Sequence, residues 1–353
     1  MSENKGRKNM KLESILKFWT GYKLRKMACM WVAVMCILAL SLVLIGCADA
    51  GNNANDGLTP GTNLQETDEA EPRMFLTFAT LPALETFPVF IAANQGFFED
   101  EGLTVVLEQF FNPRDRDIAF QTNEHIDGMV FDLVQLAIFR DAGIDIVATT
   151  STVGLASLIG VQGVYEIEDL RGLDVLMTSN TSMDYILERA LESVGMTGDD
   201  IVTNEVPALP TRLEMLLHGH AKGAILPDPF AAMAIEEGMN NLATTRDLGI
   251  NPFIFAFRED VVLENPETML AFYRAINRAV EFLNTADREE FIDILIETVG
   301  YPAHVRDTLI VPHFPVHTVP SGEVVADVLD FVNLRGLINS NIAIDEIVFH
   351  IGE

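Results

Sequence analysis

The sequence predicts an α/β fold with mostly parallel sheets, and three observations support this class. Short apolar runs alternate with helical patterns from Met74 onward, an order that is typical of βαβ units. The helical patterns stop at glycines, as at Gly96 and Gly195, where helices commonly end. Hydrophobic residues make up 49% of the chain, which permits a core without the help of disulfides.

The predicted elements follow one another in a regular order along the chain. We predict strands at 74–79, 104–110, 128–131, 144–150, 154–161, 173–177, 201–206 and 223–226, and a crossover strand at 254–257. We predict helices at 89–94, 118–123, 133–142, 183–194, 210–217, 230–237, 266–285, 289–299 and 321–337. The alternation of the two types predicts parallel sheets covered by helices.

The N-terminal region has the features of a secretory signal. Eight basic residues lie between positions 5 and 26, and an uncharged apolar run follows, which is the order of such signals. The segment Leu44-Ile45-Gly46-Cys47 resembles a bacterial lipobox. This resemblance implies that residues 1–46 are a signal peptide and that Cys47 becomes the acylated first residue, anchored outside the cytoplasmic membrane. Met10 and Met27 are alternative start sites.

An uncleaved transmembrane anchor is the alternative, because residues 27–46 are long enough to span a bilayer. Both interpretations give the same topology, since the bases precede the apolar run and acids follow it. Residues 47–72 contain no aromatic and no basic residue, so we predict a disordered tether there.

The charge of the chain limits its partners. Removal of residues 1–46 takes away 8 of 23 basic and 2 of 52 acidic residues and leaves a net charge of −35. Nucleic acids and anionic membrane surfaces require basic patches, so we expect neither as a partner. We interpret the charge mainly as a solvated, repulsive surface, and we expect a monomer.

Three segments resemble the solute-binding lipoproteins of ABC transporters, in the group that binds nitrate, alkanesulfonates, taurine and thiamine-pyrimidine precursors. Residues 94–105 (NQGFFEDEGLTV) are similar to a conserved family segment, 169–175 (DLRGLDV) to the turn into the second domain, and 212–230 (RLEMLLHGHAKGAILPDPF) to a third. One departure is Lys222-Gly223, where the family commonly has an acid before the small pair.

The resemblance implies a periplasmic-binding-protein type II fold with two lobes, a ligand cleft between them and two crossing hinge strands. We expect lobe I at 74–162 plus 254–353 and lobe II at 163–253, with hinges at 161–163 and 251–253. Closure of the lobes around the ligand is the expected motion.

Ligands of α/β sheets bind beyond the carboxyl ends of strands, and this rule selects four loops. The first follows strand one, where Phe87 is as well suited to packing on the next helix as to stacking on a ligand ring, and Glu85 either remains solvated or contacts a cationic group. The second, at 131–132, contains Asp132, an acid that suits both helix capping and ligand contact. The third, at 179–182, begins a helix, where free N–H groups suit an anion or a carbonyl. The fourth, at 227–230, contains Asp228, which suits either capping or ligand contact. The candidate ligand-binding residues are Thr80, Leu81, Pro82, Glu85, Phe87, Phe131, Asp132, Ser179, Asn180, Thr181, Ser182 and Asp228.

Acids outnumber bases in these loops, which contain no Arg or Lys. We therefore expect an amine- or ring-bearing nutrient rather than nitrate or a sulfonate. Arg114, Arg116 and Arg212 remain as bases that have the length to reach the cleft.

The predicted function is capture of a small solute and its delivery to an ABC permease and its ATPase, without catalysis and without a cofactor. A thiamine-pyrimidine-synthase-like enzyme is a weaker alternative, since the chain beyond residue 46 has one lysine and one cysteine. The pairs His218/His220 and His313/His317 lack further metal ligands at recognisable spacing. A sensory or adhesion domain remains an alternative, because it would bind a ligand in the same cleft.

Overall fold

The computed structural model of the protein describes residues 74–351. The predicted signal peptide at 1–46, the lipidation of Cys47 and the tether at 47–72 lie outside the described residues. None of the helices found between residues 74 and 351 is both long enough and apolar enough to cross a membrane.

Strands and helices alternate through most of the described chain. The strands are β1 (Phe75–Thr80), β2 (Thr104–Gln109), β3 (Gly128–Asp132), β4 (Ile146–Ser151), β5 (Ala156–Gly160), β6 (Asp174–Met177), β7 (Val202–Glu205), β8 (Gly223–Pro227), β9 (Asn240–Thr244) and β10 (Phe253–Arg258). The helices are α1 (Phe87–Asn94), α2 (Phe97–Asp100), α3 (Pro113–Thr122), α4 (Leu133–Asp141), α5 (Ser182–Glu192), α6 (Leu209–Leu217), α7 (Phe230–Glu236), α8 (Glu259–Glu264), α9 (Pro266–Thr285), α10 (Ile292–Leu295), α11 (Gly322–Leu334) and α12 (Ile344–Ile347).

The strands form two five-stranded mixed sheets. In the first sheet, with the order β2-β1-β3-β10-β4, β1 is parallel to β2 and β3, whereas β10 is antiparallel to β3 and β4. In the second sheet, with the order β7-β6-β8-β5-β9, β6 is parallel to β7 and β8, whereas β5 is antiparallel to β8 and β9. We call the first sheet with its helices lobe I and the second sheet with its helices lobe II. The predicted α/β fold is therefore confirmed, with mixed sheets in place of the mostly parallel ones expected, because β10 and β5 each enter their sheet antiparallel to both neighbours.

The chain passes from the first sheet to the second at 152–155 and returns at 245–252. The first crossing thus comes earlier in the chain than the hinge expected at 161–163. The sequence analysis assigned the run 154–161 to lobe I, whereas β5 pairs with β8 and β9 of lobe II. Gly154 in the first crossing packs against Phe253, and a Cβ at this position would lie 1.8 Å from the ring. The two crossings also touch, because the Asn251 side chain of the second crossing donates to the Thr152 carbonyl of the first.

Some elements differ from the sequence-based expectation. The helix predicted at 289–299 is broken into a 3-10 turn at 288–290, the short α10 and a π-helical turn at 296–300. The strand β9 was not predicted, because its sequence, NNLAT, lacks the apolar run by which the other strands are recognised. The two residues added at the start of α1 include Pro88, since proline is favoured in the first helical turn.

A continuous hydrophobic core joins the two lobes. It contains buried side chains of both sheets and of α4, α5 and α11. Helix α11 reaches across to α5, where the Tyr185 hydroxyl donates to Asp327 Oδ2 over 2.6 Å and Arg189 Nε donates to the same oxygen over 3.0 Å. The C-terminal region, expected in lobe I, therefore also packs against lobe II.

Candidate functional site

Three predicted acids lie at the carboxyl ends of strands in the two sheets. Glu85 lies in a 3-10 turn at 84–86 that follows β1. Asp132 ends β3, the neighbour of β1 in the first sheet, and Asp228 directly follows β8 of the second sheet. The backbone N–H of Asp228 donates to the Leu155 carbonyl over 3.0 Å, so this acid is tied to the first crossing between the lobes.

Asp132 and Asp228 both bind the backbone of the helix that follows them. Asp132 Oδ1 accepts from the Gln135 N–H over 3.0 Å and caps α4. Asp228 Oδ1 accepts from the Ala232 N–H over 3.3 Å in α7. These bonds fix both carboxylates at the edges of their sheets, because a capping side chain cannot leave without exposing helix N–H groups.

Burial shifts the ionisation of all three acids. Burial is the main cause that raises the pKa of Glu85 to about 7; a backbone hydrogen bond and the charge of Arg116 oppose it, and the charges of Asp228 and Asp132 make smaller contributions that raise it. Burial also raises the pKa of Asp132 to about 6 and that of Asp228 to about 6. The charges of both aspartates act on Glu85, and we call these three carboxyls the acidic cluster (Glu85, Asp132 and Asp228).

Tyr301 connects the C-terminal region to this cluster. Its hydroxyl donates to Asp228 Oδ2 over 3.0 Å, and its side chain is buried. Burial, followed by the charge of Asp228 and then that of Glu85, raises the pKa of Tyr301. The sequence analysis did not select Tyr301, since it lies in an irregular segment far along the chain from the other site residues.

Two of the three candidate arginines, Arg116 and Arg212, are held by the protein itself, whereas Arg114 is exposed at the start of α3. Arg116 is buried; it donates to the Val130 carbonyl over 2.7 Å and through Nε and Nη2 to Asp117 Oδ1. Its guanidinium also lies over the ring of Phe131, 5.0 Å from the centroid. Arg116 nevertheless lowers the pKa of Glu85 and Asp132 through its charge, so it favours the ionised form of these two acids.

Arg212 is fully buried within lobe II. It donates to the Val206 carbonyl over 2.9 Å, to the Ile225 carbonyl over 2.7 Å and to the Thr178 hydroxyl. Burial lowers the pKa of Arg212 to about 10. The Arg212 guanidinium therefore binds acceptors of the protein, including Thr178 in the loop after β6.

The segment 179–182 leads into α5, as predicted, but the donors of Ser179 and Asn180 already have partners. The N–H and hydroxyl of Ser179 donate to Glu205 Oε2 over 2.9 and 2.7 Å, and the Asn180 N–H donates to Asp184 Oδ2 over 3.1 Å. Two carboxylates of the chain thus occupy the positions that an anionic ligand would take. The segment at Ser179 and Asn180 therefore lacks the free N–H groups on which the expected anion contact depended.

The same loop makes a contact between the lobes. The Gln135 side chain of α4 donates to the Asn180 carbonyl over 2.7 Å. Thr181 caps α5, its Oγ1 accepting from the Met183 N–H over 3.2 Å, and Ser182 is buried in the first turn. Asp132 and this loop are therefore linked through α4, since Asp132 caps the helix that carries Gln135.

The remaining predicted residues support the first loop. Phe87 is fully buried among aromatic rings, with centroids 6.2 Å from those of Phe291 and Phe314, so the structure shows it packing in the core. Thr80 is buried and donates to the Glu108 carbonyl over 3.4 Å, whereas Leu81 and Pro82 are partly exposed.

Two cavities adjoin these elements. One of about 310 Å³ runs along α5 and is lined by Ser179, Asn180, Asp184, Glu188 and Arg335 among others. A second of about 30 Å³ lies beside Glu85 in lobe I. In the part of the chain that the structure describes, no group of three or more His, Cys, Asp or Glu side chains is arranged to hold a metal ion.

Comparison with known proteins places this architecture in a wider context. A model of the NMT1-like family matches residues 69–299. No curated protein sequence matches the chain significantly.

Several solved structures share the fold at low sequence identity. The periplasmic aliphatic sulphonate binding protein SsuA from Escherichia coli is 18% identical, with a TM-score of 0.67 over 79% of this chain and 93% of that one. The periplasmic nitrate-binding protein NrtA from Synechocystis PCC 6803 is 15% identical, with a TM-score of 0.62 over 78% and 86%. The desulfurization enzyme DszB is 11% identical, with a TM-score of 0.61 over 79% and 97%. The fold is thus found in binding proteins and in an enzyme.

Proposed function

The chain belongs to the NMT1-like family, and from this premise we propose that it is the solute-binding component of an ABC importer. It captures a small solute between lobes I and II outside the cytoplasm and delivers the solute to a permease that is driven by a separate ATPase. The sulphonate- and nitrate-binding proteins with the same fold support this role. Acylation of Cys47 would keep the protein at the membrane surface.

The observation that carries the proposal is the acidic cluster. Its three carboxyls come from both lobes, and burial raises the pKa of each. Buried acids with raised pKa values destabilise the folded protein at neutral pH, and such groups are common at functional sites. A ligand with a positively charged amino group would compensate this cost, because it pairs with the ionised carboxylates.

The ligand class follows from the same electrostatics. The donors of Ser179 and Asn180 are bound to Glu205 and Asp184, and Arg116 and Arg212 are bound to carbonyls. An anion would thus meet carboxylates on both sides, whereas an amine- or ring-bearing compound meets acceptors. We therefore favour an amine- or ring-bearing nutrient over nitrate or a sulfonate.

We propose that closure involves the crossings at 152–155 and 245–252. They are joined by the hydrogen bond from Asn251 to the Thr152 carbonyl, and Tyr301 and Gln135 each bridge the lobes by a hydrogen bond. A ligand that draws Glu85 and Asp228 together would stabilise the closed arrangement, since opposite charges on a ligand and both lobes favour their approach.

A ligand panel tests the function. Both tryptophans precede residue 74, so unfolding of the full chain in mild detergent is followed by far-ultraviolet circular dichroism. The panel contains pyrimidines, flavins, polyamines, amino acids, sulfonates and nitrate. A ligand at 100 times its Kd adds about 2.7 kcal/mol to stability, which raises the unfolding midpoint measurably. We expect an amine or ring compound to do so and to be recovered chemically unchanged.

The outcomes separate the alternatives. A midpoint raised only by sulfonates or nitrate would retain the transport role and reject the amine preference. Conversion of the ligand during incubation would favour an enzyme. No effect of any compound on a folded protein would favour a sensory or adhesion domain.

A further inference from the structure

Three buried side-chain atoms between residues 74 and 351 lack a hydrogen-bond partner within the protein. They are Thr86 Oγ1, Thr152 Oγ1 and His317 Nδ1. Buried polar atoms without a partner are uncommon in native proteins, and each calls for an explanation. These three come from distant parts of the chain, yet all belong to the region around Glu85.

Two of these residues line one cavity together with Glu85. The cavity of about 30 Å³ in lobe I is bounded by Glu85, Thr152 and His317 on its polar side, and by apolar side chains that include Phe255, Ile276, Val280 and Phe314. Thr86 follows Glu85 directly in the 3-10 turn. A space of this size accepts a water molecule or the terminal group of a ligand.

The imidazole of His317 is held in one orientation. Its ring stacks on Tyr273 with centroids 3.9 Å apart, and its backbone N–H donates to Asn277 Oδ1 over 2.8 Å. Burial lowers the pKa of His317 below its usual value, so the ring is uncharged at neutral pH. A neutral imidazole presents one ring nitrogen as an acceptor.

We propose that this cavity is the subsite for a primary amino group of the solute, bound as an ammonium by Glu85, Thr152 and His317. An ammonium has three N–H donors, and three residues that line the cavity carry acceptors for them: the Glu85 carboxylate, Thr152 Oγ1, and His317 Nδ1 in the tautomer that is protonated on Nε2. The inference rests on the proposed function. It extends the preference for an amine- or ring-bearing solute to a primary amino group bound in the cavity beside Glu85. An anionic terminal group is disfavoured here by Glu85, and a quaternary ammonium is too bulky for the cavity.

The subsite also lies at the junction of the two lobes. Thr152 belongs to the first crossing, and the Asn251 side chain of the second crossing donates to the Thr152 carbonyl. Glu85 responds electrostatically to Asp228 of lobe II. An ammonium bound here therefore contacts the crossing that we propose to be involved in closure, and it pairs with an acid on which the charge of Asp228 acts.

The test compares two cations that have the same charge and the same tail. The midpoint of thermal unfolding of the full chain is measured with n-butylamine and with butyltrimethylammonium at equal concentration and ionic strength. We expect n-butylamine to raise the midpoint of the wild-type protein by about 2–4 °C at saturation. Butyltrimethylammonium should have no effect.

A matched pair of variants locates the binding. Thr152→Val removes a hydroxyl that has no partner, so the midpoint without ligand should stay the same or rise, while the shift by n-butylamine should fall at least about fivefold. Thr150→Val is the control: Thr150 also lines the cavity, but its hydroxyl donates to the Thr318 carbonyl over 3.0 Å. This variant should lose stability and retain the full response to n-butylamine.

Three results would overturn the subsite. They are an equal effect of both cations, an unchanged response in Thr152→Val, or the absence of any shift by n-butylamine. If Thr152→Val lowers the midpoint without ligand and leaves the response to n-butylamine unchanged, the hydroxyl binds a water molecule in the cavity and the subsite is rejected. Failure of the subsite is distinct from failure of the proposed function. If the wild-type protein binds a sulfonate or a ring compound without an amine, the solute-binding role is retained although the subsite is rejected.

Discussion

The two lobes use the same framework for different purposes. In each lobe a buried arginine on the helix before a central strand donates to that strand, Arg116 to the Val130 carbonyl and Arg212 to the Ile225 carbonyl. In each lobe an aspartate that follows the strand, Asp132 or Asp228, binds the N-terminus of the next helix. The equivalence suggests that the arginine and the aspartate stabilise the edge at which strands end.

The lobes differ in which polar groups are left to bind a ligand. Lobe I keeps Glu85, Thr152 and His317 around a cavity with two unpartnered atoms. In lobe II, Glu205 and Asp184 already occupy the donors at the start of α5. We infer that lobe I recognises the solute, whereas lobe II supplies Asp228 and the surface that closes on it. Each prediction below tests this division.

The largest loss of stability should come from replacing the buried arginines, and the loss should be greater in lobe II than in lobe I. Arg212→Met leaves two carbonyls and the Thr178 hydroxyl without a donor in a fully buried position, and should lower the free energy of unfolding by about 3–5 kcal/mol. Arg116→Met leaves one carbonyl and Asp117, which is partly exposed and regains water, so its loss should be about 2–3 kcal/mol.

Urea unfolding measures both losses, and ligand titration adds a second criterion. Only Arg116→Met should weaken amine binding, because Arg116 helps to keep Glu85 and Asp132 ionised. Equal losses of stability in the two variants would contradict the comparison, as would an effect on binding that is confined to Arg212→Met.

The next largest effect is a change in stability on replacing Glu85, and it depends on pH. Its pKa is 4.5 without burial and about 7 in the folded protein. A raised folded pKa means that the folded state binds more protons between these values, so stability is fully present below pH 4.5 and is lost as the pH rises through 7. Glu85→Gln removes this loss and should stabilise the protein by about 2–3 kcal/mol at pH 8, with little change at pH 4.5.

Urea unfolding of wild type and Glu85→Gln at the two pH values checks this prediction. The same variant should lose the response to n-butylamine, which separates its effect on binding from its effect on stability. A variant that is less stable than the wild type at pH 8 would show that Glu85 is a structural acid and would remove the main argument for recognition by lobe I.

Sequence patterns predicted the framework better than the recognition chemistry. Alternating apolar runs identified nearly all the strands. The rule that ligands lie beyond strand ends selected Glu85, Asp132 and Asp228, and the charges of both aspartates act on Glu85. Thr152, Tyr301 and His317 could not be selected in this way. They lie outside strands and helices, and only the crossing of the chain and its return brings them to the cluster.

The sequence also could not reveal that the start of α5 is occupied. A helix N-terminus in the sequence suggests free N–H groups, but whether Glu205 reaches Ser179 depends on the pairing of β6 with β7, where Met177 lies opposite Glu205. The register of two parallel strands therefore decided the chemistry of this loop.

The smallest effect on stability should come from Glu205, and it sharpens the comparison most directly. Glu205→Ala frees the N–H and hydroxyl of Ser179 at an exposed position, which should cost less than about 1 kcal/mol. Lobe II would then offer donors to an anion, so ethanesulfonate should raise the unfolding midpoint of the variant but not that of the wild type. Glu192→Ala is the matched control, because it removes the same charge at the opposite end of α5, where Glu192 pairs with Arg189. If both variants gain the response, general charge reduction explains it; if only Glu205→Ala does, the wild-type preference against anions is set by an internal carboxylate that fills the anion position of lobe II.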